Sequence, residues 1–276
     1  MIKNIILVGL GAVGSVFASK IPDIKVLVDE MHNSTRRIIN EVSYEFNTVS
    51  VEKPEKADLI IVATKFYNLE EINLEPFVKD GTIILSLING ILSEDVLKER
   101  YPNANIIKSF LICNSMIKQG SKVIHDDCNQ IVLESNFELE SFFKSYNINY
   151  KVSDDIYSDM WGKYMLNLMA NQLSAVTRMT FGEMNNLPYI DKLLNNILEE
   201  VVIIAEKEGV LNARELGQGA IKIFKNMAPY GKTSMLQDII SNKKTEIEAF
   251  AGTIRKLGIK HNVKTPYNDV FYLLLR

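Results

Sequence analysis

The stretch Ile5-Ile6-Leu7-Val8-Gly9-Leu10-Gly11-Ala12-Val13-Gly14 decides the fold. A short uncharged run of Ile, Leu and Val enters a G-x-G-x-x-G pattern, and a helix-like stretch leaves it and continues to about Lys20. In that setting the first glycine permits a tight turn and the second lets the backbone approach a pyrophosphate. The third lets helix and strand pack closely, while the helix N-terminus favours the phosphate charge. Gly9, Leu10, Gly11, Ala12, Val13 and Gly14 are therefore the candidate dinucleotide contacts. A purely structural turn, or an adenosine-type cofactor such as that of a methyltransferase, would give the same pattern.

Outward from this turn the first half alternates. Residues 24–28, 59–63 and 82–87 repeat the apolar run, each rich in Ile, Leu and Val and unbroken by charge except for Lys25. Such runs read as parallel strands buried on both faces, with room between them for crossover helices around residues 69–78 and 93–100. Val42, Tyr44 and Phe46 alternate, as do Val49 and Val51 beyond Asn47-Thr48, which predicts a small hairpin added to the sheet. Two further strand-like runs, 123–125 and 130–133, flank the turn-forming residues 126–129.

After Val152 helical periodicity takes over. Ile190, Leu193, Leu194, Ile197, Leu198, Val201 and Ala205 follow one helix face, and Gly209 can stop that helix. A second helix is expected from Ser234, with Gln237 completing a capping box, to about Leu257. The chain therefore divides into an α/β Rossmann-type dinucleotide-binding domain over 1–153 and an all-α domain over 154–276. A cleft between two domains is the default place for a ligand.

The chain has 276 residues, 47% hydrophobic and 24% charged, enough for a sizeable core in a globular protein. Its net charge of −3 argues against a general nucleic-acid binder. Two cysteines, Cys113 and Cys128, are too few for a disulfide framework and suit a reduced, cytoplasmic setting. Both are expected to be buried packing groups, and the methionines core filler. Residues 4–19 carry no charge and include Ala18-Ser19, imitating a short signal peptide, but three glycines suit a strand turning into a helix better. No other stretch approaches the roughly 20 apolar residues of a membrane span. His32, His125 and His261 are scattered without ligand spacing, so no metal site is expected.

Asp29 follows the second strand, where an acid accepts hydrogen bonds from a ribose 2′-OH and repels a 2′-phosphate, pointing to NAD(H). Arg36 and Arg37 lie close enough to clamp a 2′-phosphate if their loop folds back. Lys65 follows the third strand and Asn89-Gly90 the fourth, on the rim that borders the ligand crevice of an open parallel sheet. In Trp161-Gly162-Lys163-Tyr164-Met165-Leu166-Asn167-Leu168-Met169-Ala170-Asn171, the polar residues Lys163, Asn167 and Asn171 are spaced i, i+4, i+8 on one helix face. A buried polar row among Met and Leu must find partners or destabilise the fold, so it marks a site.

On these motifs the chain resembles the ketopantoate reductases (2-dehydropantoate 2-reductases) and their 2-keto acid reductase relatives, almost from end to end. The resemblance extends to Ser234-Met235-Leu236-Gln237-Asp238, Thr245-Glu246-Ile247-Glu248, Gly252 and Thr265-Pro266. It implies a Rossmann-type domain followed by a helical domain like the 6-phosphogluconate dehydrogenase C-terminal domain. It further implies NADP(H)-dependent reduction of ketopantoate to pantoate, in the biosynthesis of pantothenate and coenzyme A. By the same resemblance Lys163 is the general acid, while Asn167, Asn171 and Ser234 hold the substrate. Glu246 contacts the cofactor and places the lysine, and Lys65 and Asn89 contact the cofactor. An ammonium with the ordinary lysine pKa of about 10.4 is protonated at neutral pH and can meet the charge that hydride transfer builds on a keto oxygen.

Three departures support a second reading. The motif Asn89-Gly90-Ile91-Leu92 lacks the Met-Gly often found after Asn-Gly, Phe181 stands where a small polar residue often precedes Gly182, and Asp29 stands where many NADP-using members carry a non-acid. That reading is an NADH-dependent D-2-hydroxyacid dehydrogenase acting on branched or aromatic 2-keto acids. A third, from another class, is a non-catalytic dinucleotide sensor, which would have no need of a proton donor on the polar row. The apolar helical domain also offers a homodimer surface.

Overall fold

In the computed structural model, residues 2–29, 33–113, 116–126 and 129–276 are described. His32, Cys128 and part of the turn expected at 126–129 lie outside the described residues. The chain forms two compact units: residues 1–89 with 93–156, and residues 90–92 with 157–276.

The first unit runs β1 (Ile5–Val8), α1 (Ala12–Lys20), β2 (Lys25–Leu27), β3 (Arg36–Ile39), β4 (Val42–Glu45), β5 (Asn47–Val49), β6 (Leu59–Val62) and β7 (Ile83–Ser86). It continues with α2 (Ser93–Arg100), β8 (Asn105–Ile107), β9 (Ser109–Ile112), β10 (Met116–Gln119), β11 (Lys122–His125), β12 (Gln130–Leu133), α3 (Phe137–Ser145) and β13 (Tyr150–Val152). Six strands form an all-parallel sheet in the order β5-β2-β1-β6-β7-β8. Every residue of β1, β6 and β7 is buried, as unbroken apolar runs require when both faces are covered. The chain leaves β1 toward β2 and later returns to β6 on the other side, so the strand order reverses between β1 and β6.

Several local expectations are corrected. The hairpin is β3–β4, not one turning at Asn47-Thr48, and its two-residue loop Asn40-Glu41 has both φ angles positive, at 44° and 71°. That is the twist-matching geometry of a tight hairpin, and Asn suits it. This hairpin joins a separate sheet, β10-β11-β3-β4, while β5 pairs with β2 in the main sheet. Arg36 and Arg37 thus lie in a strand rather than a loop. β11 and β12 are both strands but belong to different sheets.

No α-helix forms over residues 69–78. A 3-10 turn, Phe66–Asn68, is followed by irregular chain. Pro76 lacks an amide donor, and Arg100 donates to the carbonyls of Leu69 (2.5 Å) and Ile72 (2.6 Å), replacing helical bonds from outside the segment. Cys113 is exposed, because it lies just past the end of β9.

The second unit is helical: α4 (Ile156–Thr177), α5 (Phe181–Asn185), α6 (Ile190–Lys207), α7 (Ala213–Lys225), α8 (Ser234–Ile240), α9 (Ala251–His261) and α10 (Pro266–Leu275). Its core joins Trp161, Met165, Leu168 and Met169 of α4 to Leu194, Ile197 and Val201 of α6, Phe224 of α7 and Ile254 of α9. Gly209, with φ +93°, ends the α6 region as expected. The single helix expected from Ser234 to Leu257 is instead α8, a 3-10 turn (Ile247–Ala249) and α9. Asn242 takes a left-handed φ of +51°, and the N–H of Lys243 bonds the carbonyl of Asp238 at 2.8 Å, which closes α8. The cap is Thr233, whose hydroxyl accepts from Leu236 N at 3.1 Å, rather than Ser234. His261 is not isolated either: its ring lies against the Glu208 carboxylate, as does Lys260. Among the described residues, no helix is long and apolar enough to cross a membrane.

Candidate active site

In the first unit the candidate residues gather at the carboxyl edge of the parallel sheet. Val8, Val62 and Ser86 are in register, so Gly9, Lys65 and Asn89 follow neighbouring strand ends, and Asp29 leaves β2 on the same edge. Gly9 has φ +94°, and a Cβ there would stand 2.8 Å from the carbonyl of Ala63 and from Thr64 N. A Cβ on Gly14 would stand 2.0 Å from the Gly9 oxygen. These two glycines are demanded by backbone packed on backbone. Gly11 differs: the nearest atom to an added Cβ is Ala63 O at 3.9 Å, an ordinary contact, so no backbone clash demands glycine there.

Gly11 also begins α1, which has no side-chain cap and no acid in its first turn. A helix start left in this state, beside a glycine whose missing side chain leaves its backbone approachable, fits a phosphate. Gly9 to Gly14 would hold the diphosphate of a dinucleotide. Lys65 and Asn89 are half-buried on the same edge, and Asp29 is exposed at the end of β2.

In the second unit the polar row is real and its members differ. Lys163 and Asn167 are half-buried, whereas Asn171 is 5% exposed. The Asn171 carboxamide is already engaged: Oδ1 accepts from Ser234 Oγ (3.2 Å) and Met235 N (3.2 Å), and Nδ2 donates to Asn167 O (2.8 Å). It therefore fastens the first turn of α8 to α4 and places Ser234 beside the row. This tie spans more than sixty positions of sequence and has no local signal.

Glu246 is 5% exposed and stands immediately before the 3-10 turn Ile247–Ala249. That turn is fastened on two sides. Tyr164, next to Lys163 in α4, donates to Phe250 O at 2.8 Å and stacks on the Phe250 ring. Tyr272 of α10 donates to Glu248 Oε1 at 2.6 Å, and Thr245 Oγ1 donates to Leu275 O at 3.1 Å. Burial pushes the Tyr164 hydroxyl well above its ordinary pKa, against a smaller lowering influence from the Thr253 side chain. Gly90, with φ +119°, leaves only 3.6 Å between an added Cβ and Ala249 O, so it packs against the same turn. Sequence reading singled out neither tyrosine.

Phe181 heads α5 behind a Thr180–Glu183 capping box, and its ring packs edge-on against Phe224 at 5.8 Å. The ring is thus committed to the helical core.

Residues 5–136 match the family model "Ketopantoate reductase PanE/ApbA", and residues 155–276 match "Ketopantoate reductase PanE/ApbA C terminal". A 2-dehydropantoate 2-reductase of Aquifex aeolicus is 27% identical over 300 residues, covering 98% of this chain and 94% of the relative. The fold matches a D-mandelate dehydrogenase solved with NADH and anilino(oxo)acetate, at a TM-score of 0.85 and 24% identity over 99% of this chain and 97% of that one. It also matches a dimeric ketopantoate reductase from Staphylococcus aureus, at a TM-score of 0.82 and 24% identity over 99% and 98% of the two chains. Two family models that together span almost the whole chain place it: it belongs to the ketopantoate reductase family, pyridine-nucleotide-dependent oxidoreductases acting on CH–OH groups.

Proposed function

We propose that this protein is a 2-dehydropantoate 2-reductase that uses NADPH to reduce ketopantoate to pantoate, serving pantothenate and coenzyme A synthesis in the cytoplasm. The observation that carries the reading is the row Lys163–Asn167–Asn171, a cation and two amides interleaved with Tyr164, Met165, Leu166, Leu168, Met169 and Ala170 on a helix that the C-terminal family model covers. A bound reduced nicotinamide supplies the hydride that reaches the keto carbon. Lys163 gives a proton to the keto oxygen as negative charge builds there. Asn167 and Ser234 hold the substrate's polar groups, Asn171 fixes Ser234, and Glu246 orients the lysine and meets the cofactor. Gly9 to Gly14 hold the diphosphate, with Asp29, Lys65 and Asn89 along the same sheet edge.

A second reading rests on one observation: the acid at the end of β2, Asp29, suits a ribose 2′-OH better than a 2′-phosphate. It makes the protein an NADH-dependent reductase of bulkier 2-keto acids. The similar fold of a D-mandelate dehydrogenase solved with NADH and anilino(oxo)acetate supports this reading. A homodimer through the helical unit belongs to either reading, supported by exposed Ile259, Leu273 and Leu274 and by the dimeric Staphylococcus aureus relative.

The test is a steady-state assay at 340 nm with ketopantoate, run in parallel with NADPH and NADH. Fast NADPH oxidation is the expected result. Activity with NADH alone, or only with bulkier keto acids, hands the assignment to the second reading. Dinucleotide binding without turnover across a panel of keto acids sinks both and leaves a sensor.

A further inference from the structure

Arg37 lies at an inward position of β3 and is only 8% exposed. Among the described residues its guanidinium makes five hydrogen bonds. Nε and Nη2 donate to Leu10 O (3.2 and 3.0 Å), and Nη1 donates to Arg36 O (2.7 Å), Ser34 O (3.2 Å) and Ser34 Oγ (3.2 Å). Every one of these acceptors is uncharged. Among the described residues this buried cation is met by neutral oxygens, which carries a desolvation penalty, and burial lowers the guanidinium pKa accordingly. The other inward position of β3 holds Ile39, so strand packing alone has no need of an arginine there.

What the guanidinium grips is the middle of the glycine turn. The Leu10–Gly11 peptide is planar and trans, so its carbonyl and its N–H point in opposite directions. Fixing the carbonyl from behind therefore aims the Gly11 N–H forward. A charged donor on the carbonyl also polarises the peptide and strengthens its N–H as a donor. Gly11 is the N-cap of α1, and an added Cβ there would meet Ala63 O only at the ordinary contact distance of 3.9 Å, so its backbone is not crowded as at Gly9 and Gly14.

We propose that Arg37 is a positioning residue for the cofactor: it clamps the Leu10–Gly11 peptide and stands as a fixed positive charge behind the diphosphate subsite. The inference rests on the dinucleotide reading of the glycine turn. It assigns Arg37 to the part that NADH and NADPH share, rather than to the 2′-phosphate that distinguishes them.

The test is direct binding of NADPH and NADH to the full chain by titration calorimetry, with the thermal midpoint of each variant recorded. The variants are Arg37→Gln, which keeps a donor and removes the charge, and Arg37→Lys, which keeps the charge and loses the fork. Arg37→Gln should weaken both dinucleotides by the same factor, roughly tenfold or more for a lost charge-assisted pair of bonds. Arg37→Lys should recover part of that loss for both, and it carries the test alone, as an equal loss for the two cofactors, if the glutamine variant does not fold. Selective loss of NADPH affinity would mean contact with the 2′-phosphate and overturn the proposal. A folded variant with lowered midpoint but unchanged affinities would overturn it too, leaving Arg37 a support of the small sheet. Failure of the unaltered protein to bind either dinucleotide would overturn the cofactor reading itself, and this inference with it.

Discussion

At the carboxyl edge of the six-stranded sheet, three glycines are useful because they carry no side chain. On α4, three polar side chains stand where apolar ones would pack with less strain on solvation. The first region presents backbone: Gly9 and Gly14 let two loops and a helix close to distances that a Cβ would block, and Gly11 leaves a bare face beside an uncapped helix start. The second presents functional groups: Lys163 and Asn167 remain half-buried, while Asn171 uses its carboxamide to hold α8. A backbone site is set by sterics and should respond to added atoms. A side-chain site is set by chemistry and should respond to lost ones.

The largest effect expected from that contrast is on turnover. Lys163→Ala removes the proton donor of the proposed reaction and should lower kcat by roughly 10²–10⁴-fold, the scale of a lost general acid. Its affinity for NADPH, measured by fluorescence titration, should stay within about twofold, because the proposed reading assigns the diphosphate to the backbone of the other unit. Near-normal turnover would take Lys163 out of the mechanism. A large loss of NADPH affinity would erase the division of labour between the two regions.

The converse substitution is Gly14→Ala. The new methyl would meet the Gly9 oxygen at 2.0 Å, so α1 must shift away from β1 or the turn must open. Overpacking of this kind costs about 1–3 kcal/mol, and here the displaced atoms are those proposed to cradle the phosphates. The unfolding midpoint in urea should fall and the affinities for NADPH and NADH should fall together. Unchanged binding would show that the turn can move without harm, and the steric account of the first region would fail.

The same contrast explains what could be read from the sequence. The glycine turn was legible because its signal is local: a strand, three glycines and a helix within ten residues. The row on α4 was legible because i, i+4 spacing defines a face. Hidden were the partners that sequence distance separates. Glu200 of α6, on the apolar face of that helix, accepts from Tyr267 N and Asn268 N at the start of α10, so Thr265-Pro266 marks the helix while a residue far upstream satisfies it. Tyr164 and Tyr272 fasten the turn after Glu246, yet in sequence they look like ordinary core aromatics. Arg37 gave no hint of its grip on Leu10, since the strand carrying it pairs into a second sheet. The break after α8 was missed because apolar spacing continues across it, while the polar run Lys243-Lys244-Thr245-Glu246 and the left-handed Asn242 end the helix.

The smallest effect belongs to the opposite edge of the same sheet, where geometry gives way to charge. Asp58 stands just before β6 and accepts from the N–H groups of Lys3 and Asn4 (2.9 Å each) ahead of β1, and from Lys79 Nζ at 2.6 Å. Burial pushes its pKa up, but the Lys79 ammonium and the two amides together outweigh that and hold it at about 2. A carboxylate whose pKa is lowered by folding stabilises the fold above its unfolded value, near 3.8, and loses that contribution as pH falls toward 2. Asp58→Asn should therefore lower the thermal midpoint modestly at pH 7, and the gap from the unaltered protein should close between about pH 4 and pH 2. Affinity for NADPH should not move, because the proposed cofactor site lies at the carboxyl edge. A gap that is constant with pH would mean that shape, not charge, matters at Asp58. A change in NADPH affinity would show that the two edges of the sheet are coupled, and the separation of cradle from scaffold would have to be abandoned.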